Sequence, residues 1–155
     1  NFDMSPWAER LEVEQTAVQE FAPADKFDLI ISNPPYFVNS LLPPDELRST
    51  ARHTHGLTFE ELDGAVCRLL AEEGRFALIL PPTEFEQYLA QSHLYLVRRC
   101  DVYSVKGGAV KRVMGEFAKQ PTAEIEIETI AIERGRRCDY TDDYRALTKD
   151  FYLKF

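Results

Sequence analysis

The sequence predicts an α/β fold in which parallel strands are followed by an antiparallel hairpin and a C-terminal helix. The apolar run Leu29-Ile30-Ile31 is stopped at once by prolines, which is typical of a strand buried on both faces of a parallel sheet. A capped amphipathic helix and a second apolar strand come next. Beyond His93, strand-like segments alternate with turn residues, which favours antiparallel pairing.

The N-terminal part is predicted to hold one helical turn and one strand. Ser5 precedes Pro6, the usual order of an N-cap and a first helical residue. Polar and apolar residues alternate over residues 11–14, which predicts a strand at or near the edge of the sheet.

A strand–helix–strand unit is predicted in the middle of the chain. Thr58 and Glu61 are spaced as a capping box, and a helix is expected from there toward Gly74. A strand over residues 75–80 follows, and Thr83 is expected to cap a second helix. The two strands of such a unit pair in parallel.

The C-terminal part is predicted to be mainly antiparallel. Strands are expected over residues 94–105, 111–119 and 124–133, and Gly107-Gly108 predicts the hairpin turn between the first two. Four apolar or aromatic residues then share one helical face and are expected to pack on the core: Tyr140, Tyr144, Leu147 and Phe151.

Length and composition indicate a single globular domain. The chain has 155 residues, of which 45% are hydrophobic. No apolar run approaches the roughly 20 residues of a membrane span, so we expect a soluble, cytoplasmic protein with no membrane partner. The three cysteines form no Cys-x-x-Cys pair, so neither a zinc site nor a disulfide framework is expected.

Charge is distributed unevenly along this acidic chain. The net charge is −8, yet residues 97–119 carry six basic and two acidic side chains. This basic segment is a candidate contact for phosphates, although such clusters also serve as solvated surface. Its basic residues are Arg98, Arg99, Lys106, Lys111, Arg112 and Lys119.

Residues 33–36, Asn-Pro-Pro-Tyr, form the candidate active site, because chemistry in open α/β sheets lies at the carboxyl ends of strands. The Asn33 amide oxygen and the Pro34 carbonyl are two acceptors on a stiff backbone, which suits an NH2 group. The ring of Tyr36 suits stacking on a planar substrate. His53 and His55 have no third ligand at a fitting spacing, so no metal is expected.

This motif resembles that of S-adenosylmethionine (SAM)-dependent amino-methyltransferases, which methylate adenine N6, cytosine N4 or a glutamine side-chain amide. The resemblance implies the C-terminal portion of a Rossmann-like class I SAM-methyltransferase fold. Further segments are similar to one family, the bacterial tRNA1(Val) adenine-37 N6-methyltransferases. These segments are residues 5–10, 27–37, 52–54, 57–59, 111–113, 140–141 and 151–153.

The resemblance implies SAM as cofactor, tRNA as partner and adenine N6 as methyl acceptor. The implied catalytic residues are Asn33, Pro34, Pro35 and Tyr36. The implied substrate-binding residues are Tyr36, Phe37, Arg52, Lys111 and Arg112. The implied cofactor contacts are Asn33, Ala17 and Val18, the latter two where many relatives have an aspartate.

Two motifs of the family have no counterpart in residues 1–155: the glycine-rich loop and the acidic residue that holds the SAM ribose. The chain is therefore expected to be a C-terminal fragment of a methyltransferase domain that is inactive alone and self-associates through an exposed sheet edge. Two alternatives stay open. One is a glutamine N5-methyltransferase acting on a protein, and the other is a catalytically inert fragment.

Overall fold

A mixed sheet of five strands organises residues 2–35 and 57–152, the part of the chain that the computed structural model describes. In chain order the elements are a short 3-10 helix (Ala8–Arg10), β1 (Phe27–Ser32), α1 (Phe59–Leu69), β2 (Leu70–Leu80), α2 (Pro82–Gln91), β3 (Tyr95–Val105), β4 (Val110–Ala118), β5 (Glu126–Glu133) and α3 (Asp142–Thr148).

The strand order is β1-β2-β4-β3-β5, and β4 alone runs against the others. The predicted parallel pairing of β1 with β2 is confirmed, as is the β3–β4 hairpin. Four strands therefore end, and β4 begins, at one end of the sheet, which we call the carboxyl end. The opposite end, where those four strands begin, is the amino end.

The core lies between one face of this sheet and the helices α1 and α2. The inward side chains of β2 and β4 are fully buried there, and they contact aromatic residues of α2. The largest buried side chains are Phe76, Phe85, Tyr88 and Phe117. Gly115 gives these rings room, because a Cβ at that position would lie 2.6 Å from Phe85 Cε2.

The capping box is confirmed, but the helix that it begins is shorter than predicted. Thr58 Oγ1 accepts from Glu61 N at 3.1 Å, and α1 ends at Leu69. Gly74 lies inside β2, which begins five residues earlier than predicted. The register shifts between Phe27 and Leu29, and a Cβ on Gly74 would lie 3.0 Å from the Phe27 carbonyl oxygen. Gly74 therefore allows β1 and β2 to approach each other closely, and it does not end the helix.

Two further local predictions were wrong. Residues 11–14 form no strand, because no described strand lies beside them to pair with their backbone. The N-cap residue of α2 is Pro81, whose side chain makes no capping hydrogen bond, and not Thr83. The first helical residue is Pro82. A proline fits that position since it needs no N–H donor there.

The last strand pairs differently from the prediction. β5 lies beside β3 and parallel to it, where antiparallel pairing was expected. The chain after β4 passes β3, so β5 begins at the amino end like β3. Arg98 on β3 contacts Glu126 and Glu128 on β5 at 3.6 and 2.8 Å, and these contacts favour the observed register.

The expected burial of β1 and of the tail was also wrong. Leu29 and Ile31 are 56% and 73% exposed, because α1 and α2 cover only the other face and β1 is the outermost described strand. In the tail the helix is limited to Asp142–Thr148. Leu147 and Phe151 are exposed, since Leu147 projects from this short helix and Phe151 lies beyond it. In the described ranges, every helix is too short or too polar to cross a lipid bilayer.

Candidate active site at the carboxyl end of the sheet

Asn33, Pro34 and Pro35 directly follow β1 at the carboxyl end of the sheet. The last residue of β1, Ser32, pairs with Leu78, so the Asn33 segment lies beside the end of β2. Asn33 is exposed and its amide makes no hydrogen bond to any other described residue, whereas Pro34 is buried. An exposed amide beside a rigid dipeptide is thus available for a ligand.

Three residues of the predicted site lie outside the described residues: Tyr36, Phe37 and Arg52. The same is true of His53 and His55. Their predicted roles stay predictions. Within residues 2–35 and 57–152, no three His, Cys, Asp or Glu side chains converge as metal ligands would.

Lys111 and Arg112 lie at the same end of the sheet as Asn33. Leu80, the last residue of β2, pairs with Val113, so both basic residues extend beyond that pair toward the carboxyl end. β4 is two strands away from β1, which corresponds to about 10 Å across the sheet. Lys111 is exposed, and Arg112 Nη1 donates to the Lys111 carbonyl oxygen at 2.7 Å.

The other basic residues of the segment, apart from Lys106, already have partners within the protein. Arg98 pairs with two glutamates of β5, and a hydrogen bond to Glu128 raises its pKa. Arg99 contacts Glu86 and Asp101, both at 2.8 Å. Lys119 donates to the Leu70 carbonyl oxygen at 2.8 Å, where β2 begins at the amino end. The six cations therefore do not form one phosphate-binding patch.

Ala17 and Val18 are not brought beside Asn33. The Arg68 guanidinium, in the last turn of α1, donates to the carbonyl oxygens of Phe21 and Val18 at 2.6 and 3.0 Å. This holds the segment against the end of α1 where β2 begins. Asn33 lies past the other end of β1, which is about 20 Å long at ~3.3 Å per residue.

The residues that directly follow β1 and β2 fit only part of a bound SAM. Directly after β1 and β2 the chain reads Asn33-Pro34-Pro35 and Pro81-Pro82, so Asn33 is the one polar side chain among them. Its amide offers an acceptor oxygen and two N–H donors to a polar group of the cofactor. These five residues provide no carboxylate for the ribose hydroxyls and no further donor for the adenine.

Two adjacent basic residues were missed as site candidates. Arg136 and Arg137 follow β5 at the carboxyl end, and both are exposed. The charge count concealed them, because residues 120–155 carry eight acidic and six basic side chains. The doublet itself was the available signal, and its position relative to Asn33 depends on the parallel pairing of β5.

Known proteins resemble the chain over almost its whole length. A protein from Bacteroides thetaiotaomicron is 37% identical over 99% of this chain, and one from Phocaeicola vulgatus is 39% identical over 99%. A third, from Parabacteroides distasonis, is 38% identical over 99%. All three are named tRNA1(Val) (adenine(37)-N6)-methyltransferase. The chain spans 65%, 66% and 67% of their respective lengths.

The fold has a counterpart among solved structures. The crystal structure of a predicted O-methyltransferase from Agrobacterium tumefaciens superposes with a TM-score of 0.65 over 95% of this chain and 66% of its own, at 18% identity. The Rossmann-like methyltransferase fold that the sequence predicts is thereby confirmed. No family model matches the sequence. On the strength of its relatives, the chain belongs to the tRNA1(Val) (adenine(37)-N6)-methyltransferase family.

Proposed function

We propose that this protein transfers a methyl group from SAM to the exocyclic N6 of adenine 37 in tRNA1(Val). One observation carries the proposal: relatives named for this activity are 37% and 39% identical over 99% of the chain. The exposed amide of Asn33 at the end of β1 supports it, because that is the position where α/β enzymes bind their ligands. A tRNA substrate locates the activity in the cytoplasm.

The chemistry requires an activated nitrogen. The N6 lone pair of adenine is delocalised into the ring, so the amino group is a poor nucleophile. Asn33 Oδ1 and the Pro34 carbonyl oxygen accept hydrogen bonds from the two N–H groups of this amino group. These bonds favour a more tetrahedral nitrogen and orient its lone pair toward the methyl donor. SAM supplies the electrophilic methyl group when it is bound. Pro35 keeps the backbone stiff. As the bond from N6 to the methyl carbon forms, the bond from that carbon to the sulfur of SAM breaks, and S-adenosylhomocysteine would leave. The methylated nitrogen releases one proton to solvent, so no strong base is needed.

The remaining predicted residues have supporting roles in this proposal. Tyr36 stacks on the adenine, which must leave the anticodon loop to be reached, and Phe37 extends that platform. Arg52, Lys111 and Arg112 hold phosphates of the tRNA. Asn33 contacts the cofactor as well as the substrate. The cofactor roles of Ala17 and Val18 stay predictions from sequence, since both lie far from Asn33.

Replacing Asn33 by alanine tests the proposal. The protein expressed from its complete gene is incubated with unmodified tRNA1(Val) and SAM, and single-turnover methyl transfer is measured. Asn33→Ala should slow transfer by about 10² to 10³, because losing one oriented acceptor costs about 3 kcal/mol in the transition state. Its tRNA affinity should change by less than about twofold, since phosphate contacts dominate that affinity.

Gln91→Ala is the matched control. It removes an exposed amide from α2, and that amide bonds only within the helix. Tyr36→Phe should keep most of the activity that Tyr36→Ala loses, since stacking needs the ring alone. An unchanged transfer rate in Asn33→Ala, or an equal loss in Gln91→Ala, contradicts the assignment of Asn33.

A further inference from the structure

A second group of basic residues lies at the carboxyl end of the sheet, at the tip of the β3–β4 hairpin and after β5. Lys106 lies at the tip of the β3–β4 hairpin, where Gly107 has a φ of 79°. Arg136 and Arg137 lie in residues 134–139, the turn that follows β5, which we call the arginine turn. The Lys106 backbone N donates to the Glu133 carbonyl oxygen at 2.9 Å, so the hairpin tip and the start of the arginine turn are in contact.

The arginine turn is held in shape by its own hydrogen bonds. Arg134 N donates to the Asp139 carbonyl oxygen at 2.8 Å, and Asp139 N donates to the Arg136 carbonyl oxygen at 3.0 Å. Cys138 N donates to Glu133 Oε1 at 2.7 Å. Cys138 has a φ of 65°, a left-handed conformation that is uncommon outside glycine. The turn is thus ordered before any ligand binds.

Three acidic groups in and beside this turn are already occupied. Arg134 pairs with Asp139 at 3.4 Å and with Asp142 at 2.6 Å, and the Glu133 carboxylate accepts the hydrogen bond from Cys138. Arg136 and Arg137 are exposed and pair with no described acidic side chain. Their charges therefore face solvent without an ion pair to a described side chain, which favours an anionic partner.

Aromatic residues follow the arginine turn in the chain. The backbone of Glu133, the last residue of β5, forms an isolated antiparallel β-bridge with Tyr140. The rings of Tyr140 and Tyr144 have centroids 5.4 Å apart, and those of Tyr144 and Tyr152 are 6.5 Å apart. Tyr152 is half-exposed. A surface that combines basic side chains with partly exposed aromatic rings is typical of proteins that bind a nucleic-acid strand.

We propose that the arginine turn and the hairpin tip form a second RNA-binding surface, which holds the phosphate backbone of the tRNA on the β5 side of the active site. The inference rests on the proposed function, because it assigns the same RNA to this surface. With strands about 4.8 Å apart, the hairpin lies about 10 to 14 Å from β1 and the turn about 19 Å from it. Lys111, Lys106 and the arginine turn then follow one line along the carboxyl end.

The test replaces both arginines and measures the salt dependence of tRNA binding. Arg136→Ala with Arg137→Ala should reduce the slope of log K against log salt by about 1.4 to 1.8, as expected for two lost phosphate contacts. The change to two lysines should keep the slope, because lysine also binds phosphate as a point charge. The melting temperature should stay the same in both variants, since neither side chain has a described ion pair to lose.

Arg10→Ala with Lys26→Ala is the control that removes the same net charge. Both residues are exposed, and Lys26 directly precedes β1 at the amino end. This control should leave the slope unchanged. An unchanged slope in the arginine variant, or an equal drop in the control, overturns the inference.

Methyl transfer at saturating tRNA separates this inference from the proposed function. The arginine variant should keep the transfer rate of the parent, because it loses affinity and not chemistry. If the parent methylates no tRNA and the arginine variant still has the reduced slope, the proposed function fails while this surface stands. If the parent methylates tRNA and the slope does not respond, the surface fails while the proposed function stands.

Discussion

Replacing Asp63 with alanine is expected to destabilise the protein by about 3 to 5 kcal/mol. Asp63 lies on α1 and is only 1% exposed. It accepts four hydrogen bonds from the end of α2 and the residues after it: from Tyr88 Oη at 2.8 Å, Ser92 Oγ at 2.7 Å, His93 N at 3.1 Å and His93 Nδ1 at 2.8 Å. One carboxylate thus ties the two helices that cover the sheet.

The magnitude follows from these contacts. A hydrogen bond to a charged group contributes about 1.5 to 3 kcal/mol, and neighbouring bonds do not add in full. Alanine also leaves the fully buried Tyr88 hydroxyl with only a 3.4 Å contact to Ser92 Oγ. Tyr88→Phe removes the hydrogen bond to Asp63 and the weak contact with Ser92 Oγ, and it should cost about 1 to 2 kcal/mol. Glu60→Ala, an exposed change on the same helix, should stay within about 0.5 kcal/mol.

The effect should depend on pH with a defined sign. Burial raises the pKa of the Asp63 carboxyl, but hydrogen bonds from Ser92 and His93 outweigh it and hold that pKa below its ordinary value. A lowered pKa means that the network stabilises fully above the unfolded pKa of about 3.9 and loses its effect as pH falls through the lower folded value. The cost of Asp63→Asn should therefore be smaller at pH ~3 than at pH ~7.

Urea unfolding of the parent, Asp63→Ala, Asp63→Asn and Glu60→Ala at these two pH values is the assay. A cost of Asp63→Ala below about 1 kcal/mol at neutral pH would show that this carboxylate does not hold the two helices together. A cost of Asp63→Asn that is the same at both pH values refutes the pKa argument alone.

Two other predictions concern packing and the outer strand. Gly115→Ala should cost about 1 to 3 kcal/mol, because its Cβ would lie 2.6 Å from a ring carbon of Phe85, whereas Gly64→Ala in α1 meets nothing within 4 Å and should stabilise by about 0.5 to 1 kcal/mol. Thermal unfolding of both variants checks this, and equal shifts would contradict it. The isolated 155-residue chain should self-associate through β1, and a strictly monomeric chain in sedimentation would contradict this. It should also bind SAM more weakly than the protein from the complete gene, and equal SAM affinities in calorimetry would contradict that.

Local signals in the sequence were reliable where the physics is local. The capping box at Thr58 depends on contacts three residues apart, and the turn at Gly107 depends on one positive φ. Pairing direction is not local. Alternation over residues 124–133 identifies a strand, but the path of the chain past β3 decides that β5 pairs in parallel. The bulge beside Gly74 likewise depends on the backbone of β1.

The site was predictable in its chemistry and only partly in its layout. The position of Asn33 at the end of a strand followed from the apolar run and the prolines. A charge count does not show which cations already have partners, so Arg98 and Arg99 were grouped with Lys111 although glutamates of β5 and α2 bind them. Arg137 was overlooked because the acidic residues near it in the sequence make the summed charge of the segment negative, although its own side chain is exposed.

The identity of the methylated nucleoside decides whether this protein is a tRNA adenine-N6 methyltransferase. The protein from the complete gene is incubated with SAM and unmodified tRNA1(Val), and the RNA is then digested and mapped by mass spectrometry. We expect N6-methyladenosine at position 37 and no product on a transcript that carries guanine there. Methylation of another nucleoside, or of a glutamine in a release factor while the tRNA stays unmodified, would contradict it.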